Sequence, residues 1–266
     1  MGAPVQDHLV DPESRDENLN LHQIPRQAPR KSDSLHRAGI PLWLRDTMLS
    51  FLITCPNATC AIPEAHRELF KGSEDLVTSN EGWEPGSLNL AQGLAMKLST
   101  PLIHGDVSRL LIDLEQEGEK RWSNISSKLP EATRNKLVER HQDKFRRDIE
   151  ARLSEDLKRY ENIVHLIIHT APIADGKITF EYLASDHAQR ISDEAVTKLP
   201  SSEIDSSSLP LQGKTPFIEW MLETFDSPKY GIIRITVSQS FFLKSLPMRW
   251  ETIKKSLITA ISSAAQ

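Results

Sequence analysis

The segment IVHLIIHTAPIADG, residues 163–176, decides which fold the sequence predicts. Its first seven residues are apolar apart from His165 and His169. An almost continuous apolar run of this length is typical of a strand that is buried on both faces, as in parallel sheets that helices cover on each side. We therefore expect a central strand here, with His169 where that strand ends.

On both sides of this strand, strand-like and helix-like segments alternate along the chain. Further strands are predicted at residues 48–55, within 101–114, at 177–184 and at 230–239. Helices are predicted at residues 63–70, 84–99, 130–162, 216–225 and 247–264. Such alternation is typical of an α/β protein, so we expect a single three-layer domain with a mostly parallel sheet.

Two segments lack the apolar periodicity of a helix or strand. Residues 1–37 are rich in proline and charged side chains and offer little apolar surface to bury, which predicts a flexible N-terminal tail before a domain at 38–266. Residues 186–213 are rich in serine and proline, and we expect them to form a long loop.

Composition argues against several classes of protein. The chain has 266 residues, with 32 basic and 37 acidic side chains and a net charge of −5, and no basic block that would bind nucleic acid. Its apolar runs are shorter than the roughly 18 residues of a membrane span, and its first residues lack the apolar core of a signal peptide. We therefore expect a cytoplasmic protein without nucleic-acid or membrane partners.

Three polar residues are expected at the carboxyl ends of strands, where open α/β sheets bind ligands. Asn57 follows the strand at 48–55, Glu84 comes just before a helix, and His169 ends the central strand. A strand-end histidine with carboxylates or imidazoles from neighbouring loops is how mononuclear zinc hydrolases hold their metal. The alternative is a hydrogen-bonded histidine without a metal, and spacing alone favours that alternative.

Two pairs of residues are more ambiguous. Cys55 and Cys60 are five positions apart, and no second pair of cysteines or histidines follows, so we expect structural thiols rather than zinc ligands. Arg109 and Asp113 are predicted to lie on one side of a strand, as a salt bridge or as a ligand clamp. The sequence slightly favours the salt bridge.

Five segments, taken in order, resemble motifs of the N-formylglutamate amidohydrolase family. They are EGWEPGSLNLAQGLA at 81–95, VSRLLIDLEQ at 107–116, LPEATRNKLVERHQDKFR at 129–146, VHLIIHTAPIADG at 164–176 and GIIRITVSQ at 231–239. The resemblance spans about residues 49–239. It implies a metallopeptidase-like, or phosphorylase/hydrolase-like, α/β fold that hydrolyses the amide bond of a small N-acyl amino acid with a bound divalent metal, zinc in the first instance.

The resemblance implies a metal site with one exchanged ligand. It implies ligands at Glu84 and His169 and places Asn57, in CPNATC, where the family has the histidine of Cys-x-His-Ala-Gly or Pro-His-Ser-Gly. An asparagine carbonyl oxygen suits Ca²⁺ or Mg²⁺ better than zinc.

The resemblance also implies substrate contacts from Arg109, Asp113 and Gln212, the last at a position where the family has an arginine. In the family segment Asp-Leu-Asn-Arg, this chain has Glu115 and Gln116 in place of asparagine and arginine. A glutamine in place of an arginine fits a substrate less acidic than N-formylglutamate.

Two family carboxylates are replaced by Arg234 and Thr236, neither of which can carry a proton near pH 7. Our main hypothesis from the sequence is therefore a weak or non-catalytic relative with a depleted active site, in which the metal is retained or lost. The alternative is an active metal-dependent amidohydrolase with an altered substrate and a rearranged set of ligands. A third hypothesis, a pure interaction module built on the tail and the charged helix at 130–161, is the least favoured, because such a helix usually presents a solvated face.

Overall fold

The computed structural model describes residues 49–243 and 247–266. The predicted tail at 1–37 and the first residues of the predicted domain lie outside the described residues. In the described part of the chain, none of the helices is both long and apolar enough to cross a membrane.

Within the described residues, six strands form one sheet. They are Leu49–Cys55 (β1), Leu102–His104 (β2), Asn162–Ala171 (β3), Lys177–Leu183 (β4), Asp205–Pro210 (β5) and Tyr230–Ser238 (β6). Their order is β2-β1-β3-β6-β4-β5, with β2, β1, β3 and β6 parallel to one another. β4 is antiparallel to β6 and parallel to β5. The predicted mostly parallel α/β sheet is thus confirmed.

Helices cover both faces of the sheet. The α-helices are Glu74–Thr78 (α1), Ser87–Leu98 (α2), Glu131–Leu137 (α3), Lys144–Arg159 (α4), Asp186–Lys198 (α5), Pro216–Thr224 (α6), Ser240–Leu243 (α7) and Pro247–Ala264 (α8). A π-helical turn at Val138–Asp143 joins α3 to α4, and 3₁₀-helical segments lie at Glu64–Phe70, Gly118–Arg121 and Ser126–Lys128. Apolar side chains of α2, α5 and α8 pack on one face, and those of α4 and α6 pack on the other.

The central position of β3 follows from its apolar residues. Leu166 and Ile168 face α2, α5 and α8, whereas Ile163 and Ile167 face α4 and α6, so both faces of this strand are buried. The polar exception, His165, lies 2.8 Å from Thr54 Oγ1 and 2.8 Å from the Tyr230 hydroxyl, so both of its ring nitrogens have partners. Complete burial lowers the pKa of His165 to about 3 and keeps it neutral.

The predicted long loop at 186–213 is wrong, because it contains α5 and β5. The side chain of Ser185 caps α5 by accepting a hydrogen bond from the Ala188 N–H, and Ala188, Ile191 and Ala195 lie on the buried side. Apolar residues at spacings of three and four form a helix face even when most other residues are polar. β5 is an edge strand that pairs with β4, and it tolerates a serine-rich sequence because none of its side chains is fully buried.

Candidate metal centre

Glu84, Glu115 and His169 converge in one buried cluster beyond the ends of β1 and β3. One potential ligand atom of each residue lies within 4.8 Å of the others. His169 Nδ1 is 3.1 Å from both carboxylate oxygens of Glu84, and His169 Nε2 is 3.7 Å from Glu115 Oε1. The three residues are only 5–8 % exposed. Two carboxylates and one imidazole are a common donor set for a divalent metal.

Asn57 belongs to the same cluster. Its Nδ2 group donates hydrogen bonds of 3.1 Å to Glu84 Oε1 and 3.1 Å to Glu115 Oε2. The structure therefore brings together the three residues for which the resemblance implies a metal site, and adds Glu115 to them.

Two buried atoms in this cluster have no hydrogen-bond partner among the described residues, namely Asn57 Oδ1 and His169 Nε2. Leaving a buried polar atom without a hydrogen-bond partner is unfavourable, and a bound water or ion can remove this cost. A cation held among the carboxylates would interact favourably with a carbonyl oxygen and a ring nitrogen beside them. The residues present therefore fit a divalent metal.

Glu84 is held in place from several directions. Its backbone N–H donates to the Asn57 carbonyl at 2.9 Å, and its carboxylate accepts from the Thr170 N–H at 3.2 Å and faces Arg109 Nη1 at 3.6 Å. Gly86, with φ +89°, lets the chain turn sharply from Glu84 into α2, and a Cβ there would lie 3.0 Å from the ring of Phe242. These contacts hold the Glu84 carboxylate in a fixed position.

The prediction that Arg109 and Asp113 share one side of a strand is wrong, because β2 ends at His104 and both residues lie in the following loop. The backbone N–H groups of Ser108 and Arg109 bond to Ala61 and Gly82 of other loops, which takes them away from the sheet. The favoured Arg109–Asp113 salt bridge is also absent among the described residues. The Arg109 guanidinium instead donates to the carbonyls of Glu81 and Asn80 and faces Glu84.

Glu115 is the residue that the sequence hypothesis did not include among the ligands. The Asp113 carboxylate accepts its N–H at 2.9 Å, and Gln142 Nε2 donates to the carbonyls on both sides of it, Leu114 at 3.2 Å and Gln116 at 2.8 Å. Gln142 can reach them because the π-helical turn directs both His141 and Gln142 inward. One feature of the sequence could have indicated this role. Relative to the family that the chain resembles, Glu115 replaces an asparagine and Asn57 replaces a histidine, so a carboxylate is gained in the same chain in which an imidazole is lost.

The electrostatics of the cluster favour protons where no metal is bound. Burial opposes a charge on His169, but the carboxylates of Glu84 and Glu115 outweigh it and raise the pKa of His169 to about 9. Burial raises the pKa of Glu115 to about 7, with His169 and Arg234 opposing and Asp113 and Glu84 assisting. Burial also raises the pKa of Asp113. A metal ion would have to displace these protons.

The two substituted carboxylate positions lie on β6. Arg234 pairs across the sheet with Glu181 of β4, with Nε–Oε2 and Nη2–Oε1 distances of 2.7 and 2.8 Å. Its Nη2 also donates to the Gln212 carbonyl at 2.9 Å. Thr236 is the register partner of His169. The structure does not bring the Gln212 side chain to the cluster, because that side chain is exposed and donates to the Pro210 carbonyl.

Glu181 was missed by the sequence analysis as well. The period-two alternation of the strand at 177–184 put it on one face of β4, but its pairing with Arg234 required the antiparallel register of β4 and β6.

Neither cysteine belongs to the cluster. Both are free, Cys55 is fully buried, and Cys60 is only partly buried. The Cys55 thiol donates to Ser87 Oγ at 3.3 Å, and burial raises its pKa well above the ordinary value. The metal cluster that the described residues form contains no thiol ligand.

Comparison with known proteins supports the fold but does not assign a family or an activity. No protein-family profile and no curated protein matches the sequence. A crystal structure of a gene product from Agrobacterium tumefaciens has 18% identity and a TM-score of 0.63, over 81% of this chain and 90% of that one. An N-formylglutamate amidohydrolase from Ralstonia eutropha JMP134 has 13% identity and a TM-score of 0.57, over 82% of this chain and 93% of that one. At such identities the likeness shows that this chain shares an α/β fold with an amidohydrolase.

Proposed function

We propose that this protein is a metal-dependent hydrolase that cleaves the amide bond of a small N-acylated substrate, with Glu84, Glu115 and His169 holding the metal. The observation that carries the proposal is the buried convergence of these three side chains at the carboxyl ends of β1 and β3. That is the edge of an open α/β sheet where ligands bind. The fold shared with an N-formylglutamate amidohydrolase supports the reaction class.

The donor set suits a divalent ion of the first transition row, such as Zn²⁺ or Mn²⁺, since it combines an imidazole with two carboxylates. When bound, such an ion supplies polarisation of a carbonyl group and a lowered pKa for a coordinated water. Arg109 and the Thr170 N–H hold the Glu84 carboxylate in position, and Asn57 donates to both carboxylates.

A proton carrier is still needed, because Arg234 and Thr236 replace the family carboxylates. We assign that role to Asp113, a carboxylic acid outside the ligand set that accepts the Glu115 N–H. The Arg234–Glu181 pair leaves the guanidinium largely neutralised, which reduces its repulsion of a cation.

One observation favours a second candidate, a non-catalytic relative that binds no metal. The Asn57 amide donates a hydrogen bond to each of the two carboxylates, Glu84 and Glu115, and so stabilises them in the absence of a cation. This candidate corresponds to a depleted active site.

Metal analysis of the purified full chain, followed by calorimetric titration with Zn²⁺ and Mn²⁺, tests the proposal. We expect one ion per chain and turnover of N-acyl amino acids, with N-formylglutamate and neutral N-acetylated amides in the same screen. Glu115→Gln should weaken metal binding at least about tenfold, since the loss of a residue that merely contacts a metal ligand already costs about 10–100-fold. Glu161→Gln, at an exposed position, is the control.

Asp113→Asn separates proton transfer from metal binding. The amide can still accept the Glu115 N–H, so we expect metal affinity to change little while turnover falls by about 10²–10⁴-fold, as for a lost general base. A wild-type protein with neither stoichiometric metal nor turnover would favour the second candidate.

A further inference from the structure

A cavity separate from the metal cluster opens at the carboxyl ends of β3 and β6. Its volume is about 510 Å³, within the range of small-molecule sites. Pro85, Pro172 and Ile173 supply apolar lining, and Ser79, Asn80 and Gln239 supply polar groups. Every residue that lines the cavity is uncharged.

The cavity and the metal cluster share a backbone wall. Pro85 directly follows Glu84, and the Pro85 carbonyl accepts a hydrogen bond of 2.9 Å from the hydroxyl of Thr170, the neighbour of His169. Gln239 Nε2 donates to the Thr170 carbonyl at 3.2 Å. A substrate in this cavity would therefore lie beside Pro85, the chain neighbour of Glu84, and close to Thr170, the chain neighbour of His169.

Two polar groups of the lining are free to bind a ligand. Gln239 is 2 % exposed, and its Oε1 atom has no partner among the described residues. The Asn80 side-chain amide likewise has no hydrogen bond within the part of the chain that the structure describes, although its backbone carbonyl accepts from Arg109. Together these groups can both donate to a ligand and accept from it.

The two charged side chains that bond to the lining of the cavity, Arg109 and Asp175, already have charged partners. Arg109 is engaged with the carbonyls of Asn80 and Glu81 and with Glu84. Ser240 donates to Asp175, whose carboxylate also faces Arg249 at 3.2 Å. A charged ligand group would have to leave water without gaining an unpaired counter-charge, which is unfavourable.

We propose that this cavity binds the uncharged carboxamide part of the substrate, so that the preferred substrates are N-acyl derivatives with a neutral amide side chain rather than a carboxylate. The inference rests on the proposed function for the reaction itself. A carboxamide offers the N–H donor and the carbonyl acceptor that Gln239 and Asn80 can pair with, whereas a carboxylate offers acceptors only.

Calorimetric binding of two probes to the metal-free full chain tests this inference without any turnover. The probes are N-acetyl-L-glutamine amide and N-acetyl-L-glutamate amide, which differ only in the side-chain group. We expect the glutamine probe to bind about tenfold more tightly or better, which corresponds to about one net hydrogen bond.

Asn80→Ala should weaken binding of the glutamine probe by about tenfold, since it removes the side-chain amide and keeps the backbone carbonyl that Arg109 uses. Asn124→Ala, at an exposed loop position, is the matched control. Gln239→Met gives a second variant, and thermal melting verifies that each variant is folded.

Equal binding of the two probes, tighter binding of the glutamate probe, no binding of either, or an unaffected Asn80→Ala variant would each overturn the inference. These outcomes are independent of metal binding and turnover. A protein that binds metal and hydrolyses acidic substrates would keep the proposed function and refute this one. A protein that binds the glutamine probe selectively but neither binds metal nor shows turnover would keep this inference about the cavity and refute the proposed function.

Discussion

Two of the positions at which this sequence departs from the family that it resembles, Asn57 and Arg234, have different surroundings in the structure. At the ends of β1 and β3, Asn57 stands where the family has a histidine, and Glu115 brings a carboxylate into the same cluster. On β6, Arg234 stands where the family has a carboxylate, and Glu181 of β4 pairs with it.

Beside Asn57, Glu115 adds a side chain that could bind a metal, whereas Glu181 only balances the charge of Arg234. Glu115 adds a carboxylate, so the cluster has three side chains that could hold a metal ion. The carboxylate of Glu181 is occupied by two hydrogen bonds from the guanidinium and is poorly placed to carry a proton. Under the proposed function, therefore, only the second departure removes a group that could carry a proton.

The largest effect is expected from Glu84→Gln. This change removes the charge that faces both His169 and Arg109, and breaking a buried ion pair costs about 3–5 kcal/mol of unfolding free energy. Metal affinity should fall at least about 100-fold, the upper end for loss of a partner at a metal site. Urea denaturation and metal titration measure the two effects, with Glu161→Gln as the control. Wild-type stability would show that the cluster is not held by this carboxylate.

Arg234→Met is expected to destabilise the fold by up to about 3 kcal/mol, because it leaves the partly buried Glu181 carboxylate without its counter-charge and with only the Gln212 N–H as a donor. The double variant Arg234→Met/Glu181→Leu should return to within about 1 kcal/mol of the wild type, since an apolar pair can replace a buried ion pair. Arg159→Met, which breaks an exposed pair, should cost no more than about 0.5 kcal/mol. If the double variant were less stable than Arg234→Met alone, the pair would not be a simple charge balance.

Asn57→His is expected to strengthen zinc binding by about tenfold or more, equivalent to about 1.4 kcal/mol, because imidazole is the better zinc ligand. The change adds a ligand without adding a proton carrier, so turnover should change less than affinity. Parallel titrations with Zn²⁺ and Mg²⁺ measure the effect, and the gain should be confined to zinc. An equal gain for both ions would show that the histidine acts other than as a ligand.

A further prediction concerns the effect of pH on the stability of the metal-free protein. The folded-state pKa of Glu115 is raised from 4.5 to about 7, so the stability that its proton provides is complete below 4.5 and is lost as pH rises through 7. The folded-state pKa of His169 is raised from 6.5 to about 9, so its contribution is complete below 6.5 and is lost as pH rises through 9.

Glu115→Gln should therefore abolish the decline between about pH 5 and 7 and reduce, without abolishing, the decline at higher pH, because Glu84 alone then raises the pKa of His169. Urea midpoints measured with chelator across this pH range test the prediction. A wild-type protein that gained stability between pH 5 and 7 relative to Glu115→Gln would contradict the cause assigned to the Glu115 shift.

Much of the fold followed from local patterns. The apolar run that became β3, the alternation that became β6 and the spacing of apolar residues in α2 each depend on neighbours within a few positions. The missed helix α5 shows the limit of such patterns, because its buried face is small and its surrounding residues are polar.

By itself, the sequence determined the α/β architecture, the buried central strand and the convergence of Asn57, Glu84 and His169, since parallel strands bring the loops at their carboxyl ends to one edge. Only the tertiary structure decided that Glu115 joins them, that Arg109 serves Glu84, and that Glu181 neutralises Arg234. These three contacts depend on loop paths and on the register between strands far apart in the chain. No local periodicity records such long-range contacts, because they form only when packing brings the segments together.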